Sequence, residues 1–311
     1  MQIKTIFLAP ISVLLLLCGN AWASQPHMMQ VVSPNIPEHV TFAGKKINLD
    51  RSDMYERFDR ELTSMAFTHG TTMLTLKRAN RYFPILIPIL KANNIPTDLI
   101  YLACIESNLN PRAVSGAGAA GLWQFMPATG KEYGLEVNEY VDERFHPEKA
   151  TEAACKYLTN AYNKYGNWES TAASYNAGMG RISRELDAQK AESAYDLFLN
   201  EQTSRYIFRL LAMKSILEHP QYFGYVLKAS QLYFPITTEN VEVNEPVEDW
   251  QTWALDHGTN YLTLRELNPW IRAKSLPNKN NKTYIVKIPS EDAMLRSKQS
   301  KEVYNHNWIS K

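Results

Sequence analysis

Residues 96 to 130 read PTDLIYLACIESNLNPRAVSGAGAAGLWQFMPATG, and this stretch decides the fold. Pro96 suits the first turn of a helix and Pro111 cannot continue one, so a helix is expected from about Thr97 to Asn110. Leu99, Leu102, Ala103 and Glu106 follow the spacing that lines one helical face. The fourth member of that apolar stripe is a carboxylate. Apolar surroundings disfavour its charged form, and a glutamate poised towards neutrality can give and retrieve a proton. The alternative is a half-exposed glutamate paired with a Lys or Arg. Ser115 to Gly121 is then a run of small residues that builds no core and lets backbone approach a ligand. It leads into Leu122-Trp123-Gln124-Phe125-Met126-Pro127, an aromatic and amide cluster of a kind that binds sugars.

Two further motifs follow in order: Ser174-Tyr175-Asn176-Ala177-Gly178, then Thr203-Ser204-Arg205-Tyr206 on another helical stretch. Glu106-Ser107, Gly121-Leu122-Trp123-Gln124, Tyr175-Asn176-Ala177-Gly178 and Tyr206 together resemble the signatures of lytic murein transglycosylases with a goose-lysozyme-like catalytic domain. Ser174 stands where that family usually has Ala. Arg81-Tyr82-Phe83-Pro84, before an Ile/Leu-rich segment, resembles the region upstream of the catalytic core in the membrane-bound lytic murein transglycosylase D group.

The resemblance implies an activity and a division of labour. One glutamate, Glu106, acts as acid and then as base on the bond between N-acetylmuramic acid and N-acetylglucosamine. The muramic C6 hydroxyl attacks internally, giving a 1,6-anhydro product. Substrate contacts are expected from Ser107, Trp123, Gln124, Tyr175, Asn176 and Tyr206. Each has a plainer alternative. Ser107 is then a helix-surface serine, Gln124 a loop amide bonded to backbone, and Trp123 a cleft wall. Tyr175 and Asn176 become helix-end caps, while the Tyr206 ring is core in either reading and the resemblance implies that its hydroxyl reaches toward the catalytic glutamate. A goose-type hydrolytic muramidase and a catalytically silent wall-binding scaffold are the competing functions. The partner is peptidoglycan glycan strands. No cofactor or metal is expected, since no His pair has ligand spacing and the Gly-rich run does not follow a strand.

With 33 Lys and Arg against 32 Asp and Glu, the net charge of +1 leaves no basic excess to neutralise phosphates, which argues against nucleic acid. Lys4, the apolar run Ile6 to Leu17 and Ala21-Trp22-Ala23 read as an export signal over 1–23, implying a periplasmic protein. Lipidation at Cys18 is the alternative, and it would add outer-membrane association. Leu17 stands where a lipoprotein signal wants a small residue. Cys104 and Cys155 are expected as buried free thiols, with a disulfide as the alternative.

The expected architecture is mainly α. Residues 24–93 form a helical extension after a Pro-containing extended lead-in to about 50, with helices from Ser52, over Met73 to Phe83, and over Ile85 to Ala92. Residues 94–225 form an all-helical lysozyme-like catalytic domain. Glu132, Glu136, Glu139, Asp142 and Glu143 lack an apolar stripe and read as a solvated face. Residues 233–290 run strand, helix, helix, strand and resemble a degenerate LysM module, with Leu267-Asn268-Pro269 its most recognisable fragment. The tail, 291–311, has no assigned role.

Overall fold

The computed structural model describes residues 32–310. The expected export signal and Cys18 lie outside the described residues. A short hairpin comes first, β1 (His39–Phe42) and β2 (Lys45–Asn48), antiparallel with Phe42 opposite Lys45. This differs from the expected extended lead-in. Val40 and Phe42 are buried while His39 and Thr41 face out, so a period-2 pattern only four residues long pins the strand to the core.

Two helices follow, α1 (Ser52–Phe67) and α2 (His69–Ala92). The two segments expected over 73–92 form one helix, with Pro84 and Pro88 inside it. Each proline removes a backbone bond. Burial of Phe83, Leu86, Ile87 and Leu90 around the same turns offsets that loss.

A 3-10 turn, Thr97–Leu99, leads into α3 (Ile100–Ser107), which ends three residues earlier than the sequence suggested. Then come α4 (Pro127–Glu132), α5 (Pro147–Tyr165), α6 (Trp168–Ala177), α7 (Met179–Gln189) and α8 (Glu201–Glu218). Ala150, Ala153, Ala154, Tyr157, Leu158 and Ala161 bury the expected stripe of α5, and Gly166 at φ 68° stops it. α3 packs on α2 and α8, α5 on α2 and α6, and α1 along α8. Cys104 and Cys155 are buried free thiols, and burial pushes the Cys155 thiol up to about 12.

The C-terminal part is β3 (Thr238–Val243), α9 (Trp250–Asp256), α10 (Tyr261–Leu267) and β4 (Tyr284–Pro289), with β3 and β4 antiparallel. Asp249 and Asn260 cap the two helices by accepting the N–H of Thr252 and Thr263. Buried Asn268 donates to the Leu264 and Lys287 carbonyls and accepts the Lys287 N–H, tying α10 to β4.

This module and the helical part share a core. Ala120, Val141 and Phe145 cluster with Val243, Trp250, Leu264, Trp270, Ile271 and Val286. The seam corrects the solvated-face reading of the acidic segment. Only Glu132 and Glu139 are exposed; Asp142 pairs with buried Arg144, Glu143 with Lys149 and Lys282, and Glu136 with Lys282. Their cations are distant in sequence or belong to a different local pattern, so no local signal announced them. Residues 34–311 accordingly form one compact unit.

The charged tail is also built in. Trp308 is 1% exposed, packs against Phe83, and donates its indole N–H to the Leu217 carbonyl. Trp308→Ala should cost about 3–5 kcal/mol of stability, read as a lowered urea midpoint. A loss under ~1 kcal/mol would mean that the tail does not belong to the core.

Candidate active site

The site is organised by the end of α3. Every residue from Ile100 to Ile105 is buried, and so is Ser107; Glu106 alone on this helix is only partly covered. The sequence placed Glu106 on an apolar stripe, whereas the helix is apolar all round and Glu106 is its single opening. Past Ser107 the backbone turns abruptly, with Asn108 at φ 51° and Leu109 at φ 54°. A leucine rarely adopts this left-handed conformation. Complete burial of the Leu109 side chain and a bond from Arg78 to the Asn108 carbonyl hold it.

Glu106 Oε1 accepts the Tyr206 hydroxyl at 2.5 Å, joining α3 to α8. Burial raises the Glu106 pKa, while the Tyr206 hydrogen bond and the Arg209 charge oppose the rise. Tyr206 and Tyr175 are both pushed well above the usual phenol range, by burial first and then by the nearby Glu106 charge. Arg209 sits one turn beyond Tyr206 and donates to the Ile105 carbonyl at 3.3 Å. The sequence reading missed it; the i, i+3 spacing from Tyr206 was the available signal.

The Gly-rich segment is a tight loop. Val114 bridges Ala120, which also bridges Phe125. At Gly121, φ is 79°, and a Cβ there would lie 1.8 Å from the Arg144 carbonyl oxygen, so only glycine fits.

The remaining expected contacts divide into two groups. Gln124, at φ 51°, donates from its amide nitrogen to the Ala113 and Gly121 carbonyls, and among the described residues no bond engages its side-chain oxygen. That leaves an acceptor, not the expected donor–acceptor pair. Asn176 is half-buried at the end of α6, and no side-chain bond ties it to the protein among the described residues. Tyr175 donates to the Trp123 carbonyl at 2.9 Å.

Two expectations are corrected. Trp123 is 0% exposed, with its indole N–H bonded to Thr151, so it offers no face to a sugar; its plainer reading as a wall is the one realised. Ser107 is buried, and its hydroxyl hydrogen is shared between the Ala103 and Leu122 carbonyls, which clamps α3 to the loop instead of reaching a ligand. The Leu122 carbonyl needs a donor, which Ser107 supplies, while the buried Trp123 N–H needs an acceptor, which Thr151 supplies.

These features define a site in a helical framework, with one partly covered carboxyl, its pKa raised by burial, between a glycine loop and a tyrosine-bearing helix. Residues 85–198 match the family model of the transglycosylase SLT domain, and residues 239–292 match that of the soluble lytic transglycosylase C-terminal LysM-like domain. The chain is 28% identical to membrane-bound lytic murein transglycosylase D of Escherichia coli K12 over 83% of its length and 57% of the relative's. It is 29% identical to membrane-bound lytic murein transglycosylase C of Haemophilus ducreyi, over 57% of this chain and 54% of that one. The chain thus spans little more than half the length of these relatives. A solved structure, the 70 kDa soluble lytic transglycosylase of E. coli, matches 46% of this chain and 24% of its own at 26% identity, with a TM-score of 0.38.

The raised pKa of Glu106 carries a stability signature. Its folded pKa lies above the unfolded value, so folding favours the protonated form. That contribution is present below the unfolded pKa and is lost as pH rises through the raised folded value. At pH 7 the buried charge therefore costs stability. Glu106→Gln should melt higher than the unsubstituted protein at pH 7, and the gain should vanish towards pH ~4, near the reference carboxylate value. A gain independent of pH would dissociate it from the carboxylate.

Proposed function

We propose that this protein is a peptidoglycan lytic transglycosylase, cleaving the bond between N-acetylmuramic acid and N-acetylglucosamine without water to leave 1,6-anhydro ends. The carrying observation is the company Glu106 keeps: a tyrosine hydroxyl at 2.5 Å and an arginine charge. Among the described residues the influences on its pKa are burial, Tyr206 and Arg209, and no second carboxylate stands with them. A hydrolase that uses two carboxyl groups needs the second within about 5–10 Å.

Glu106 enters the reaction protonated, a state that burial favours, and gives its proton to the leaving glycosidic oxygen. The carboxylate that forms is stabilised by the Tyr206 hydroxyl and by the Arg209 charge. It then takes the proton of the muramic C6 hydroxyl as that oxygen bonds to C1. The ring closes, and Glu106 returns to its protonated form. Internal attack replaces a bound water, and well-oriented groups of this kind can supply several kcal/mol, up to about 7–11. The Gln124 oxygen is suited to accept an N–H from a substrate acetamido group, and Asn176 offers both donor and acceptor. Tyr175 and Tyr206 contribute through the site's framework.

The expected export signal at 1–23 and a wall substrate support a periplasmic enzyme. Among the described residues no helix is long and apolar enough to cross a membrane. The proposal also takes in catalytic segment 94–225 and recognition of glycan strands as the partner.

Glu106→Gln keeps the side-chain volume and removes the titratable proton. Clearing of purified sacculi should fall at least about 100-fold, since general acid catalysis contributes ~10²–10⁴-fold, with the circular dichroism spectrum unchanged. Clearing within tenfold of the unsubstituted protein would move the acid to another residue.

A further inference from the structure

The seam between the LysM-like module and the helical part does more than join two cores. Arg144 lies in it, 7% exposed, between two groups of partners. Its Nε and Nη2 donate to the two oxygens of Asp142 at 2.9 and 2.7 Å. Its Nη1 donates to the Gly118 carbonyl at 2.8 Å and the Phe125 carbonyl at 2.9 Å. Those two carbonyls lie on opposite limbs of the glycine loop, on either side of Gly121. The backbone oxygen of Arg144 itself fills the space where a Gly121 Cβ would be.

Asp142 in turn is held by the module. Its N–H donates to the Trp270 carbonyl at 2.9 Å, Val141 bridges Ile271, and the Arg272 N–H donates to the Tyr140 carbonyl at 2.8 Å. The Trp270 ring stacks with His146, and the Arg272 guanidinium lies 4.3 Å from the centre of the Phe145 ring. Residues 140–146 are therefore gripped on one side by the module, and through Arg144 they grip the active-site loop on the other. A buried guanidinium with four of its five N–H donors committed is a rigid connector, because moving either group of partners strands charge or donors away from water.

We propose that Arg144 is a positioning residue, and that through the Asp142–Arg144 pair the LysM-like module sets the geometry of the glycine loop beside Glu106. The module is then part of the catalytic scaffold in addition to any wall binding. The kinetic part rests on the transglycosylase reading; the structural part does not. Arg144→Lys keeps the charge but loses the planar fork that serves Asp142 and both carbonyls. For a soluble glycan, kcat/KM per folded molecule should fall at least about tenfold, short of the ~100-fold that a misplacement of 1 Å can cost. KM should rise and kcat should drop together. A role confined to stability would lower the melting temperature and leave both constants unchanged below it, and that result overturns the proposal.

The second arm needs neither activity nor Arg144. Ile271→Ala loosens the module side of the seam in the full-length chain, and hydrogen–deuterium exchange is then followed over residues 113–125. Exchange in that loop should quicken several-fold relative to α5. Acceleration confined to 238–289, with the loop unchanged, overturns the proposal whether or not the protein cleaves peptidoglycan. If the unsubstituted protein cleaves nothing, the functional reading fails and this arm still decides the coupling.

Discussion

Everything at the site depends on one carboxyl group at the end of a helix that is otherwise sealed. Burying Glu106 is unfavourable for its charged form, and that cost raises its pKa above the ordinary glutamate value. The cost is bearable because the carboxyl is not isolated. Tyr206 bonds it at 2.5 Å, and Arg209 offsets part of the desolvation. Burial and partners pull in opposite directions, and a group balanced between them can act as acid and then as base.

That balance requires fixed surroundings, and the surroundings are fixed by backbone bonds. Ser107 clamps Leu122, Tyr175 holds the Trp123 carbonyl, Gln124 ties Ala113 to Gly121, and Arg144 joins Gly118 to Phe125. Many polar side chains in the motifs are thus spent on the loop's own carbonyls. The chain keeps fewer free groups for a ligand than its motifs suggest, and it gains a loop with little freedom. The same logic extends outward. The module and the C-terminal Trp308 complete cores that the helices alone leave open.

What the sequence made legible was whatever depends on local pattern. The alanine stripe of α5, the terminators at Gly166 and Gly178, and the strand–helix–helix–strand order of the module are all local in this sense. Glu106 and Tyr206 were also legible, and the structure brings them into contact across 100 residues. What escaped was decided by distant partners. Glu136 is held by Lys282 and Tyr284, 146 and 148 residues away, and no spacing rule could announce that. Trp123 looked like a sugar platform because aromatic residues near a glycine loop often are, yet Thr151 and the surrounding rings enclose it. Proline broke α2 on paper, whereas tertiary burial carried it through.

The central claim is that a single carboxyl drives cleavage by internal attack. The direct measurement is the mass of muropeptides released from purified peptidoglycan by the unsubstituted protein, weighed without prior reduction. The account predicts products lighter by one water than hydrolysis gives, and lacking a reducing end. Products that all carry a reducing end would contradict it and make the protein a hydrolytic muramidase.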